Sequence, residues 1–226
     1  MIDIFDFFSF LKNPGLVRQS EIPSLYSFFN LVWKSFLVLI GFSVLSEFVI
    51  SAPLKYFNLL PHPKVIEFSL LNVLILSLLS PIIEELVFRL PLRISRFNIA
   101  ISLSLILFFS IFKLNIYVAT FSSIVLFGVI YLRIKEGSDI KARITTYFTS
   151  NFFLIFYIQA LLFGFIHLGN YDLNLSLSIL FPIVVIRQIF TGCFFGYIRV
   201  KYTFGIYICI VTHIVVNSIF FLTIIK

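Results

Sequence analysis

The sequence predicts an all-α fold, a polytopic transmembrane helical bundle of about seven helices (range six to eight), and three observations carry that prediction. The first is composition: 60% of the 226 residues are hydrophobic and 12% charged, with 31 phenylalanines and a mean hydropathy of +1.09. Soluble domains do not reach such values. A soluble core of this size could not hide so much apolar surface, whereas a bilayer accepts it on the outside of helices as well as between them. The second is periodicity of length. Apolar runs long enough to span recur at 30–50, 66–90, 147–168, 174–198 and 203–225, and 98–132 holds two shorter runs. The third is charge: 17 basic and 10 acidic residues give a net +7, which on a membrane chain is the positive-inside signature.

The N-terminal stretch MIDIFDFFSFLKNPG lacks the basic n-region and small-residue cleavage site of a signal peptide, and reads as a short interfacial helix within residues 1–28. Residues 29–226 form a single membrane domain. After its first span comes the loop SAPLKYFNLLPHPK, Ser51 to Lys64. The second span ends in SPIIEELVFR, Ser80 to Arg89. The stretch 98–132 forms a helical hairpin turning at Lys113-Leu114-Asn115; at about 1.5 Å per residue its arms barely cross a hydrocarbon core about 30 Å thick. RIKEGSDIKAR, Arg133 to Arg143, is the strongest polar linker, and GNYDLN, Gly169 to Asn174, a short turn.

With the N-terminus in the cytoplasm, the inner segments collect Lys12, Arg18, Arg93, Arg96, Arg133, Lys135, Lys141, Arg143, Arg199 and Lys201, and the outer ones Lys55, Lys64, Lys113 and Lys226. This asymmetry predicts an N-in, multi-pass protein in contact with membrane lipid. No basic tract is dense enough for nucleic acid. Cys193 and Cys209 fall in apolar runs without CxxC spacing, which reads as inert packing.

Ionisable groups inside a bilayer are costly, roughly 3 kcal/mol each on insertion scales, so each needs a partner or a purpose. The candidates are Glu84, Glu85 and Arg89 on the second span, His167, Arg187 beside Gln188, and His213 with Asn217 in the last span. Lys34 and Glu47 lie near span ends, where they can snorkel. Glu85 and Arg89 are four apart and share a helix face, so they can form an internal ion pair; Glu84 points about 100° away, free for water or another helix. Snorkelling charges at a helix end are the ordinary alternative for this triplet. His213 and Asn217 repeat the four-residue spacing, as do Phe163 and His167. Arg187 is expected to pair with a buried carboxylate or to receive a negative group of a substrate.

A buried carboxylate, two imidazoles and an amide suffice for hydrolysis of an amide bond: a carboxylate assisted by a histidine takes a proton from water, and His and Asn donors hold the oxyanion. Glu84, His167 and His213 could instead hold a divalent metal such as zinc. The sequence contains neither HExxH nor another compact ligand motif, which favours the metal-free scheme. A proton-relaying transporter would use the same residues, but no inverted repeat or pair of broken helices is visible.

Three of these stretches, EELVFR (Glu84 to Arg89), FGFIH (Phe163 to His167) and HIVVN (His213 to Asn217), resemble in order the EExxxR, FxxxH and HxxxN motifs of the CAAX protease and bacteriocin-processing family (CPBP, or Abi), which includes the CAAX prenyl endopeptidases. The resemblance covers about residues 68–226, with 98–132 as an inserted hairpin. It implies a membrane-embedded endopeptidase in which Glu84 and His167 activate water, His213 and Asn217 form the oxyanion hole, Glu85 and Arg89 support the site, and Phe163 lies near the substrate; Arg187 matches none of the three motifs. It further implies a peptide or protein substrate, lipidated or not, and a bacterial cell membrane. A catalytically silent bacteriocin-immunity or peptide-binding protein of the same fold is the alternative. Straight helices would put Glu84 near the cytoplasmic side and His167 at the far end of its span. The site therefore requires that Pro81 break its helix, that the 147–168 run begin with a non-spanning portion, or that GNYDLN fold at depth.

Overall fold

In the computed structural model, residues 3–22, 24–64, 69–135, 137–172 and 175–224 are described. They form ten helices: α1 (Ile4–Lys12), α2 (Leu25–Tyr56), α3 (Leu70–Leu92), α4 (Arg96–Ile111), α5 (Ile116–Arg133), α6 (Asp139–Ser150), α7 (Phe152–Ile166), α8 (Phe181–Val184), α9 (Ile186–Lys201) and α10 (Gly205–Ile224). Among the described residues there is no strand, only isolated bridges between Ser20 and Tyr202 and between Pro63 and Tyr171. The chain is a helical, multi-pass membrane protein. α2, α3, α5 and a Phe152–Asn170 segment, α7 with its terminal turn, are long and apolar enough to cross a bilayer; the pair Ser178–Val184 and Ile186–Lys201, bent by 48°, is a fifth when counted as one span, and α4 and α10 are shorter apolar helices. These seven correspond to the seven apolar runs.

The boundaries differ from expectation in four places. The segment 51–56 is expected in a loop, yet α2 continues through it to Tyr56. It does so by widening into a π turn over Glu47–Ser51, which admits Pro53 in the first turn of the α-helical segment Ala52–Tyr56. Pro81 likewise does not break α3. A π turn over Ile75–Leu79, with the Ser80 N–H bonded to the Ile75 carbonyl, absorbs the ring's clash with the preceding turn. The polar linker ends at Ser138, whose side chain caps α6 at the Lys141 N–H; a polar helix carries no hydropathy signal. Finally, the 147–168 run is interrupted at Asn151, so α7 has only 15 residues.

α9 is the centre of the bundle, with every residue from Gly192 to Val200 buried. It approaches α7 to backbone contact. A Cβ on Gly192 would lie 2.9 Å from the Ala160 Cα, one on Gly164 would collide with Ile189, and one on Gly196 would lie 2.7 Å from the Phe156 ring. Small residues four apart on both helices, Ala160 and Gly164 against Gly192 and Gly196, permit this approach, the usual solution where lipid supplies no hydrophobic drive for helix pairing.

The N-terminal helix is packed, not merely laid on the surface. Phe7 is fully buried against the rings of Phe190, Phe194 and Tyr197, while Phe5 and Phe8 on its other face stay exposed. Lys201 donates to Asp6 at 2.7 Å and holds that carboxyl below its usual range. Tyr157 donates to the Leu11 carbonyl, and Gln19 to that of Tyr202 at 2.9 Å.

Candidate active site

α3, α7 and α10 bring their ionisable side chains to one place. Glu85 is fully buried. Its Oε2 lies 3.4 Å from Arg89 Nε, the pair expected from the spacing, and its Oε1 accepts from His213 Nδ1 at 2.8 Å. Arg89, 1% exposed, stacks its guanidinium over the Phe163 ring at 3.8 Å, and its backbone carbonyl accepts from the buried Arg199 at 3.2 Å. Phe163, 1% exposed, is thus a floor under Arg89.

Glu84 is held differently. Ser80, one turn back, donates to Oε1 at 2.6 Å. Oε2 is buried without a hydrogen-bond partner and is faced by His167 Nε2 at 3.7 Å and His213 Nε2 at 3.8 Å. His167 Nδ1 lies 2.8 Å from the Phe163 carbonyl. A carbonyl can only accept, so Nδ1 carries a proton, and when the ring is neutral Nε2 presents a lone pair toward Glu84. The same reasoning makes His213 Nδ1 the donor to Glu85.

The apolar run 147–168 is split at Asn151: its first four residues end α6, and α7 begins at Phe152 and ends beside His167, next to Glu84. The stretch that follows α7 is tied down at 169–172: Lys64 N–H donates to the Asn170 carbonyl at 2.8 Å and Asp172 N–H to that of His62 at 2.9 Å. Leu173 and Asn174 of the expected turn lie outside the described residues.

Two predicted residues are placed elsewhere. Arg187 reaches Glu47 at 3.6 Å, which Lys55 also contacts at 2.6 Å; the snorkelling carboxylate of α2 is its partner. Asn217 donates its side-chain amide to the Leu76 carbonyl at 3.2 Å. Ser80 and Arg199 do not stand out in the sequence, Ser80 because a serine in a helix is unremarkable, Arg199 because it lies among the basic residues of a span end.

Among the described residues no group of three His, Cys, Asp or Glu side chains could hold a metal ion. Two ligands of one tetrahedral zinc lie about 3.3 Å apart, and the distances from Glu84 to the two imidazoles exceed that.

Residues 139–219 match the family described as Type II CAAX prenyl endopeptidase Rce1-like. No curated protein and no solved structure matches the chain. The matched segment carries His167, His213 and Asn217; α3, with Glu84, Glu85 and Arg89, precedes it and joins it in space. Across 139–219 the chain is similar to the type II CAAX prenyl endopeptidases, and two of its three motifs, FGFIH and HIVVN, lie within that segment.

Proposed function

We propose that the protein is a membrane-embedded endopeptidase in which Glu84 and His167 activate water and His213, with Asn217, stabilises the oxyanion. The observation that carries this reading is the unpartnered Glu84 Oε2, buried between two imidazole Nε2 atoms at 3.7 and 3.8 Å. Those spacings suit a water that gives one hydrogen to the carboxylate and one to the lone pair of His167. Ser80 occupies Oε1, so Oε2 is the oxygen that takes the proton.

As the water oxygen attacks the peptide carbonyl, its proton passes to Glu84 and the carbonyl becomes an oxyanion. In this scheme His213 enters the step with both ring nitrogens protonated, Nδ1–H on the Glu85 carboxylate and Nε2–H on that oxyanion, and keeps both protons throughout. Glu84 then returns the proton to the leaving amine as the C–N bond breaks. General-base assistance is worth about 10² to 10⁴ in rate, and one oxyanion donor about 10² to 10³. Arg89 balances Glu85, so His213 and Glu84 operate without a second uncompensated carboxylate beside them.

The substrate class follows from the resemblance: a peptide presented near the cytoplasmic face, with a prenylated CaaX peptide as the first to assay, the N-terminus lying in the cytoplasm. Purified wild type and Glu84→Ala are compared for cleavage, with and without chelator. Wild-type cleavage lost in Glu84→Ala and indifferent to chelator is expected. Equal activity of the two proteins ends the mechanism, and loss on chelation restores the metal scheme.

A further inference from the structure

Asn217 does something the motif spacing does not suggest, and the reason lies in the backbone of α3. In an α-helix the Leu76 carbonyl would accept from the Ser80 N–H, but that N–H is bonded to Ile75. In the π register it would accept from residue 81, which is proline and has no N–H. Both intrahelical donors are therefore lost to the one carbonyl. Asn217 Nδ2 donates to it at 3.2 Å from α10.

We infer that Asn217 is a positioning residue: its amide clamps the π turn that Pro81 imposes on α3, and so fixes the rotation at which Glu84 and Glu85 leave the helix. One extra residue in a turn rotates everything beyond it, and Glu84 and Glu85 are the next polar residues after Ser80. His213, one turn earlier on the same face of α10, holds Glu85 at 2.8 Å. α10 thus grips α3 at two points, on either side of the proline, and Glu84 hangs between them. This deepens the proposed endopeptidase reading and rests on it only for its consequence in catalysis; the clamp itself is a matter of backbone satisfaction. The second N–H of the Asn217 amide remains for the oxyanion.

The test is a double-mutant cycle between Asn217→Ala and Pro81→Ala, read first by thermal unfolding of the full chain in detergent. Alanine at 81 restores the backbone N–H, so the Leu76 carbonyl no longer depends on Asn217. In the Pro81 background, Asn217→Ala is expected to lower Tm by roughly 2 to 6 °C, from the worth of an interhelical hydrogen bond to a partly buried carbonyl. In the Pro81→Ala background the same change is expected to shift it by less than about 1 °C. An equal drop in both backgrounds overturns the clamp. Asn217→Asp, of the same size but with no amide hydrogen, is expected to lose at least as much as alanine; wild-type stability in that variant would also overturn it.

Peptide cleavage supplies the second readout. Two residues acting on one turn are non-additive, so the double variant is expected to be no slower in kcat than the slower single variant, with KM unchanged. Multiplying losses would make Asn217 an independent oxyanion donor and end the positioning role. A stability cycle that behaves as expected in a protein without cleavage activity would uphold the clamp and overturn the endopeptidase reading alone.

Discussion

Two helix pairs in this protein meet closely, and they have opposite characters. α7 and α9 approach to backbone contact at Gly164 and Gly192, with Gly196 against the Phe156 ring, and α9 is buried from Gly192 to Val200. α4 and α5 form the hairpin, whose outward side chains stay exposed, Phe121 and Leu132 among them, with Arg96 over the Tyr131 ring at 4.3 Å and Ser102 donating to the Val87 carbonyl of α3 at 2.7 Å. The first pair helps enclose the Glu84 cluster with protein; the second presents apolar side chains to lipid. A buried ion pair holds only where every charge has a partner and water is excluded. The hairpin can therefore lengthen the chain between Arg89 and Phe163 without entering the place where they meet.

The contrast can be broken most severely at the cluster. His167→Ala is expected to reduce kcat by about two to four orders of magnitude, since it removes the acceptor for the water's second hydrogen; retention of more than a tenth of the activity would separate the chemistry from this helix. Arg89→Met leaves Glu85 buried with one partner. Its expected cost is about 3 to 5 kcal/mol, read as a fall in Tm, and Glu85→Gln in the same chain is expected to recover much of it.

Legibility from sequence follows the range of each interaction. Glu85 with Arg89 could be read because four residues on a helix share a face, whereas Glu85 with His213 spans 128 residues and no spacing rule reaches that far. The Asn217 contact with Leu76 was hidden for a different reason: it exists only because the helix before Pro81 is π and not α. The apolar helices were legible from hydropathy, and their breaks at Asn151 and Val185 were not, because a polar or bent interruption shorter than a turn leaves the run apolar on average. α1 was legible as amphipathic, but a helix lying in the interface and one docked on a neighbour share that pattern.

Smaller effects sharpen the comparison. Gly192→Leu drives a side chain into Ala160 and forces α7 from α9, with an expected cost of about 1 to 3 kcal/mol, read as a lower Tm together with lost activity because His167 moves with α7. Phe121→Leu on the hairpin's exposed face is expected to change stability by less than about 0.5 kcal/mol and activity not at all. A large loss there would make the hairpin part of the working site.

The docking of α1 has a consequence in time. Phe7 finds Phe194 and Asp6 finds Lys201, partners that emerge nearly two hundred residues later in synthesis. At about 5 to 20 residues per second, the first helix waits roughly 10 to 40 s before the surface it packs against exists. Its apolar side must spend that interval on the membrane, so α1 is an interfacial helix while the protein is being made and a packed one after α9 arrives.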